Sequence, residues 1–116
     1  KCIFIIVKSR SAKNKGKRLQ NIVRDVLLET FNTLEPDDIK SAVMGDSGED
    51  IQLSPAARKL IPYSIECKNQ EKLNIWGALE QAEKNSGDSN PVLIFKRNRS
   101  KTYAVLEIED FIKLIK

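Results

Sequence analysis

Histidine is absent from all 116 residues. That removes Ser-His and Cys-His catalysis, His-dependent nucleases and His-containing zinc sites together, because each needs an imidazole as base or ligand. Cysteine is nearly as scarce. Cys2 and Cys67 cannot supply a four-cysteine metal site or a disulfide framework, so a reducing intracellular compartment is expected, with Cys67 as a small core residue. The chain also has no P-loop and no internal repeat. Its longest apolar run, Cys2-Ile3-Phe4-Ile5-Ile6-Val7, is too short to cross a bilayer and is followed by no cleavage site. Neither signal peptide nor membrane anchor is expected. With Lys1 rather than Met at its start, the chain reads as a trimmed product, and residues 1–8 as an added strand or a contact between copies.

What is present is the composition of an ordinary globular chain, 41% hydrophobic and 31% charged, so disorder is not expected. The length suits one domain spanning residues 1–116. The net charge of +4 is mildly basic, but its distribution says more. Lys8, Arg10, Lys13, Lys15, Lys17, Arg18 and Arg24 follow one another with no acid among them, and Lys96, Arg97, Arg99 and Lys101 form a second basic segment. Between Glu29 and Asp50 the sign reverses, with Lys40 alone against seven acids. A basic rim around an acidic centre fits a metal-dependent enzyme acting on a polyanion.

Periodicity orders the elements. The apolar run at the N-terminus reads as a strand and residues 9–15 as a basic loop. Leu19, Ile22, Val23, Val26, Leu27 and Phe31 then recur at helical spacing and predict a helix over residues 15–32. Strands are expected from Ile39 to Met44 and at Ile51–Leu53, with a flexible turn from Gly45 to Gly48 between them. Ser54-Pro55 has the form of an N-cap and a first-turn proline, opening a short helix that Pro62 closes. Tyr63–Lys68 is the central strand. A helix over residues 75–85 follows, with Trp76, Leu79 and Ala82 inward. Val92-Leu93-Ile94-Phe95 does not alternate and reads as a strand buried on both faces. Residues 102–107 form another strand, and a final helix over residues 109–116 turns Phe111, Ile112 and Ile115 inward. The result is an α/β fold in which helices flank a mixed sheet.

Chemistry concentrates between Gly45 and Lys68. In a strand, Glu66 and Lys68 share a face, their attachment points roughly 6 to 7 Å apart, while Ile65 and Cys67 point the other way. Asp50 stands at the mouth of the preceding apolar strand. Two carboxylates from neighbouring strands repel unless something positive lies between them, and the natural occupant is a hard divalent cation such as Mg²⁺. A lysine beside it could orient a water or neutralise charge on a phosphate, which suits phosphodiester hydrolysis. The plain alternative is a charged sheet edge with a Glu-Lys pair of small energetic value. Glu49, as the neighbour of Asp50, should face away. Lys13, Lys15, Lys17, Arg18 and Arg24, with Lys96, Arg97 and Arg99, are candidate DNA contacts, against a reading as solubilising charge.

Asp50 followed sixteen residues later by Glu66-Cys67-Lys68 resembles the PD-(D/E)XK nuclease signature, with Gly48-Glu49-Asp50-Ile51 in the place of its first half. With the helix carrying Gly16-Lys17-Arg18-Leu19-Gln20 before it, and Trp76 to Asn85 and Pro91 to Lys96 after it, the pattern over residues 9–116 is similar to that of small Holliday junction resolvases and phage endonucleases. The resemblance implies a restriction-endonuclease-like α-β-β-β-α-β-β-α core, here with the extra N-terminal strand. It also implies Asp50 and Glu66 as ligands of Mg²⁺, which Mn²⁺ should replace, and Lys68 as the residue that aligns the attacking water. Many members carry a glutamate on the first helix. Gln20 stands in that place here, a neutral amide left to hold a water or touch a phosphate. The implied function is a metal-dependent DNA endonuclease at branched DNA, in the cytoplasm of a prokaryotic or phage-infected cell, working as a two-fold dimer because a four-way junction needs two symmetric cuts. The alternatives are a nicking, repair or restriction-like nuclease of the same fold, and a DNA-binding module without cleavage.

Overall fold

The computed structural model describes the backbone of residues 2–43 and 48–116, and the side chains of residues 13–43 and 48–116. Met44 and the Gly45–Ser47 part of the expected turn lie outside the described residues. The chain opens with α1 (Cys2–Thr30), and a single 3-10 turn at Pro36–Asp38 leads into β1 (Ile39–Ser41). Then come β2 (Ile51–Leu53), α2 (Pro55–Leu60), β3 (Tyr63–Asn69), α3 (Ile75–Ser86), β4 (Asn90–Lys96), β5 (Tyr103–Leu106) and α4 (Ile108–Ile115). The α-β-β-β-α-β-β-α order read from the sequence is therefore found, with the short helix α2 between its second and third strands.

Two expectations change at the N-terminus. In place of the expected strand over residues 1–8 and loop over residues 9–15, residues 2–15 are helix, since α1 begins at Cys2; Lys1 lies outside the described residues. A continuous apolar run suits a buried strand or a helix equally, and nothing from Val7 to Lys15 interrupts a helix with proline. Further along α1, Leu19 and Val23 are buried, and Leu27, Leu28 and Phe31 pack against the same core. Ile22 and Val26, expected on that face, are more than half exposed. They follow Leu19 and Val23 by three residues, which turns them roughly 60° off the buried stripe.

The core formed by α1 takes in Ile39 of β1, Ile51 of β2, Ala57 of α2, Ile61, and Ile65 and Cys67 of β3. Ile39 and Ile51 are fully buried, each contributing on the order of 2 kcal/mol. β1 and β2 pair antiparallel, Ser41 opposite Ile51. β3 pairs parallel with β4, the crossover being α3, and β4 pairs antiparallel with β5. The mixed sheet thus comes as a two-stranded and a three-stranded part. Asp50 joins them: its carbonyl accepts from Ala42 N–H at 2.8 Å and its N–H donates to Ile65 O at 3.1 Å.

Alternation along β3 sends Ile65 and Cys67 to the α1 side and Ser64, Glu66 and Lys68 to the other. α3 covers part of that second face, where Ser64 Oγ donates to Asn85 O at 3.4 Å and Ala78, Ala82 and Leu93 are buried. Trp76, expected inward, is 79% exposed at the start of α3, and Phe111, Ile112 and Ile115 of α4 are exposed as well. Both helices are amphipathic in sequence, but α3 buries its alanines, which let it sit close to β3 and β4.

α2 is held at its start as the sequence implied. Ser54 Oγ accepts from Ala57 N–H at 3.1 Å and donates to Asp38 at 2.6 Å. Ser54→Ala removes both bonds and should cost about 1 kcal/mol, measured by chemical denaturation.

Candidate functional site

The pairing around Asp50 decides where its side chain goes. With its backbone bonded to Ala42 on one side and Ile65 on the other, the Asp50 carboxyl reaches β3, where Oδ2 accepts the Cys67 N–H at 2.7 Å. This sets it next to Glu66, near enough for the charge of each carboxyl group to act on the other. Glu66 is 2% exposed, and Lys68 Nζ stands 3.7 Å from its Oε2. Glu66 Oε1 is buried without a hydrogen-bond partner.

An orphaned carboxylate oxygen in such a place is expensive to keep unless a ligand completes it. Burial first, and then the negative charge of Asp50, push the Glu66 carboxyl up to about 7, with Lys68 and the Asn85 amide pulling the other way. Burial also raises Asp50, opposed by the Cys67 N–H and by Lys68. A pair that resists carrying two negative charges alone, next to one ammonium, is suited to a divalent cation. Among the described residues no group of three or more His, Cys, Asp or Glu side chains is gathered to hold a metal. Two carboxylates with water and phosphate oxygens completing the shell is a donor set that Mg²⁺ accepts. The Cys67 thiol is driven far above its ordinary range by burial and by both carboxylates, which makes it an inert core group.

Gln20 is 6% exposed on α1, and its Oε1 accepts from Ser41 Oγ at 2.9 Å. Lys17 Nζ donates to the same hydroxyl at 3.0 Å and to Ala42 O at 2.7 Å. The end of β1 and the Ala42 that follows it, whose N–H is bonded to Asp50, are therefore pinned by two residues of α1. Lys17, expected at the DNA, gives two of its three N–H groups to this contact.

The other cations are placed differently. Lys13 and Arg18 are exposed, Lys15 is half-buried with its carbonyl 3.5 Å from Asn69 Nδ2, and Arg24 pairs with exposed Asp25 at 2.8 Å. Lys96 is half-buried, while Arg97 and Arg99 are exposed on the turn after β4. Arg99 holds φ at 62°, a left-handed conformation that costs an ordinary side chain about 1 kcal/mol. Asn tolerates it. Arg99→Asn should therefore fold at least as stably as the parent, read by chemical denaturation.

Two residues that sequence reasoning passed over hold the loop that delivers Asp50. Arg58 of α2 donates to Glu49 at 2.6 Å and to Tyr63 O at 2.8 Å, so Glu49 faces α2 as its position beside Asp50 required. Asn85 of α3 donates to Gly48 O at 3.2 Å. Neither carries a motif that announces it: Asn85 acts across 37 residues, and Arg58 reaches out of its own short helix to the segments on either side.

The chain matches the family model described as "Phage putative PDDEXK endonuclease" over residues 11–116, and it belongs to that family. No curated protein and no solved structure matches it. No helix among the described residues is long and apolar enough to cross a membrane.

Proposed function

From a phage-type PD-(D/E)XK endonuclease as premise, we propose that this chain hydrolyses DNA phosphodiester bonds at a Mg²⁺ site held by Asp50 and Glu66, with branched DNA as its substrate. The observation that carries the reading is the buried Glu66 carboxylate with one oxygen unpartnered, set against an Asp50 carboxyl that the β3 backbone holds in place. A divalent cation bound there supplies charge neutralisation on the phosphate and a more acidic water. Asp50 and Glu66 provide its protein oxygens. Lys68, already drawn to Glu66, has further N–H donors with which to align the attacking water or meet charge developing on the phosphate. Gln20 acts through β1, holding Ser41 next to the Ala42 whose N–H the Asp50 carbonyl accepts.

Lys13, Lys15, Arg18 and Arg24 on α1, with Lys96, Arg97 and Arg99 beyond β4, hold the DNA backbone without reading bases. Asn69 links the two groups, its amide against Lys15 O while its register partner in β4 is Lys96. Cutting a four-way junction symmetrically calls for a two-fold dimer. The exposed apolar side chains of α4, Ile108, Phe111, Ile112, Leu114 and Ile115, support an association of this kind.

The test is incubation of the purified protein with labelled junction, flap and linear duplex DNA in Mg²⁺, Mn²⁺ or EDTA. Metal-dependent cutting favouring the junction is expected. Binding without cutting under every metal condition would leave a DNA-binding module in its place.

A further inference from the structure

The face of the sheet that carries Glu66 and Lys68 continues past them. Parallel pairing sets Lys68 beside Phe95 of β4, and antiparallel pairing sets Phe95 beside Tyr103 of β5. Register partners share a face, so the charged pair runs into an aromatic pair two strands wide, extending about 10 Å across the sheet. The Phe95 and Tyr103 rings lie 6.0 Å apart at 34°. They border an open recess of about 340 Å³ whose other walls include Gln70, Ile75, Lys96 and Arg97.

Each feature of this recess has a use for a nucleic acid. Tyr103 is 55% exposed, so much of its ring faces solvent. A cross-strand pair that served only the sheet would gain from burying it. Lys96 and Arg97 bring positive charge to the rim. Glu71 also lines the recess, where its Oε2 accepts the Asn98 N–H at 2.6 Å and so holds the basic turn against it; Lys96 and Arg97 outnumber this one carboxylate. Gln70 offers both an amide donor and an acceptor without committing to one base. The volume suits one planar heterocycle with its sugar, near the lower end of small-molecule sites. An aromatic surface beside cations is how proteins take up unpaired bases without regard to sequence.

We propose that the recess lined by Phe95 and Tyr103 receives a nucleobase lifted out of the helix next to the cleaved bond, so that the enzyme selects DNA carrying an unpaired nucleotide there. The proposal rests on the placement of the cutting site at Glu66 and Lys68, and it gives branched or bulged DNA a physical means of recognition. An unpaired base costs least to lift out, whereas a fully paired one must first be unstacked.

The experiment is run in EDTA, where binding is read without cleavage. Two duplexes of equal length carry 2-aminopurine at one position, unpaired in a bulge or paired. The protein should bind the bulged duplex about tenfold more tightly, the size that one base–aromatic stack supplies, and quench its fluorescence. Tyr103→Leu should lose the preference and most of the quenching while its affinity for paired DNA stays within about twofold. Tyr103→Phe, which keeps the ring, should retain both, and the retained affinity of the leucine variant for paired DNA shows that its loss is not a folding defect. Equal affinity for the two duplexes, or quenching unchanged in Tyr103→Leu, overturns the proposal. Neither result touches the nuclease reading, which falls instead if the protein quenches the bulged base but never cuts with Mg²⁺.

Discussion

Asp50→Asn is expected to lower metal-dependent strand cleavage by about a thousandfold or more, with little change in stability or in DNA affinity measured in EDTA. The substitution removes the negative charge and one strong metal donor, but not the acceptor that the fold uses. Asp50 Oδ2 takes the Cys67 N–H at 2.7 Å, and an asparagine oxygen can take it as well. Asp50→Ala separates the two roles. It should lose cleavage to the same degree and also about 1–3 kcal/mol of stability, because the Cys67 N–H is then left without a partner. A cleavage rate within tenfold of the parent in Asp50→Asn would remove the aspartate from the chemistry.

Glu66→Gln should change activity and stability in opposite directions. Cleavage should fall as far as in Asp50→Asn. Stability of the metal-free protein should rise, because the carboxylate removed is buried against Asp50 with Oε1 unpartnered. The sign follows from proton binding. The folded state holds the Glu66 proton up to about 7, against an ordinary value of 4.5, so it binds the proton more tightly than the unfolded chain does. Stability from this group is complete below about pH 4.5 and is lost as the pH rises through about 7. Above that, ionised Glu66 costs the metal-free protein on the order of 3 kcal/mol. Chemical denaturation in EDTA should therefore show wild type weakening between pH 5 and pH 8, and Glu66→Gln weakening less. A divalent cation should restore wild type at pH 8 and do little for the variant. A variant less stable than wild type at pH 8 in EDTA would show that the carboxylate serves the fold and not a cation.

Much of this architecture can be read from the chain alone, for physical reasons particular to each element. The central strand announces itself through Glu66 and Lys68 on one face and Ile65 and Cys67 on the other. α2 is fixed by Ser54 and Pro55, whose preferences are local. The apolar run from Cys2 to Val7 carries no such constraint: without alternation or a breaker it fits strand and helix equally, and α1 absorbs it. Trp76 and the apolar residues of α4 mislead in another way, since amphipathic spacing says which residues share a face but not whether anything covers it. At the candidate site, the residue types of Asp50, Glu66 and Lys68 point to metal chemistry. Their support does not show, because Asn85 on Gly48 and Lys17 on Ala42 join residues distant in sequence, and Arg58 on Glu49 joins separate elements with no motif to mark it. Lys17 is the instructive case. Its place in a basic run suggests DNA, and its contact with the end of β1 makes it a support for Asp50.

The central claim is that one cation is shared by Asp50 and Glu66, and Mn²⁺ binding followed by electron paramagnetic resonance tests it without DNA or turnover. Wild type should hold Mn²⁺ at least about tenfold more tightly than Asp50→Asn or Glu66→Gln, and Mg²⁺ should compete for the same site. Equal Mn²⁺ affinity in all three proteins would contradict it.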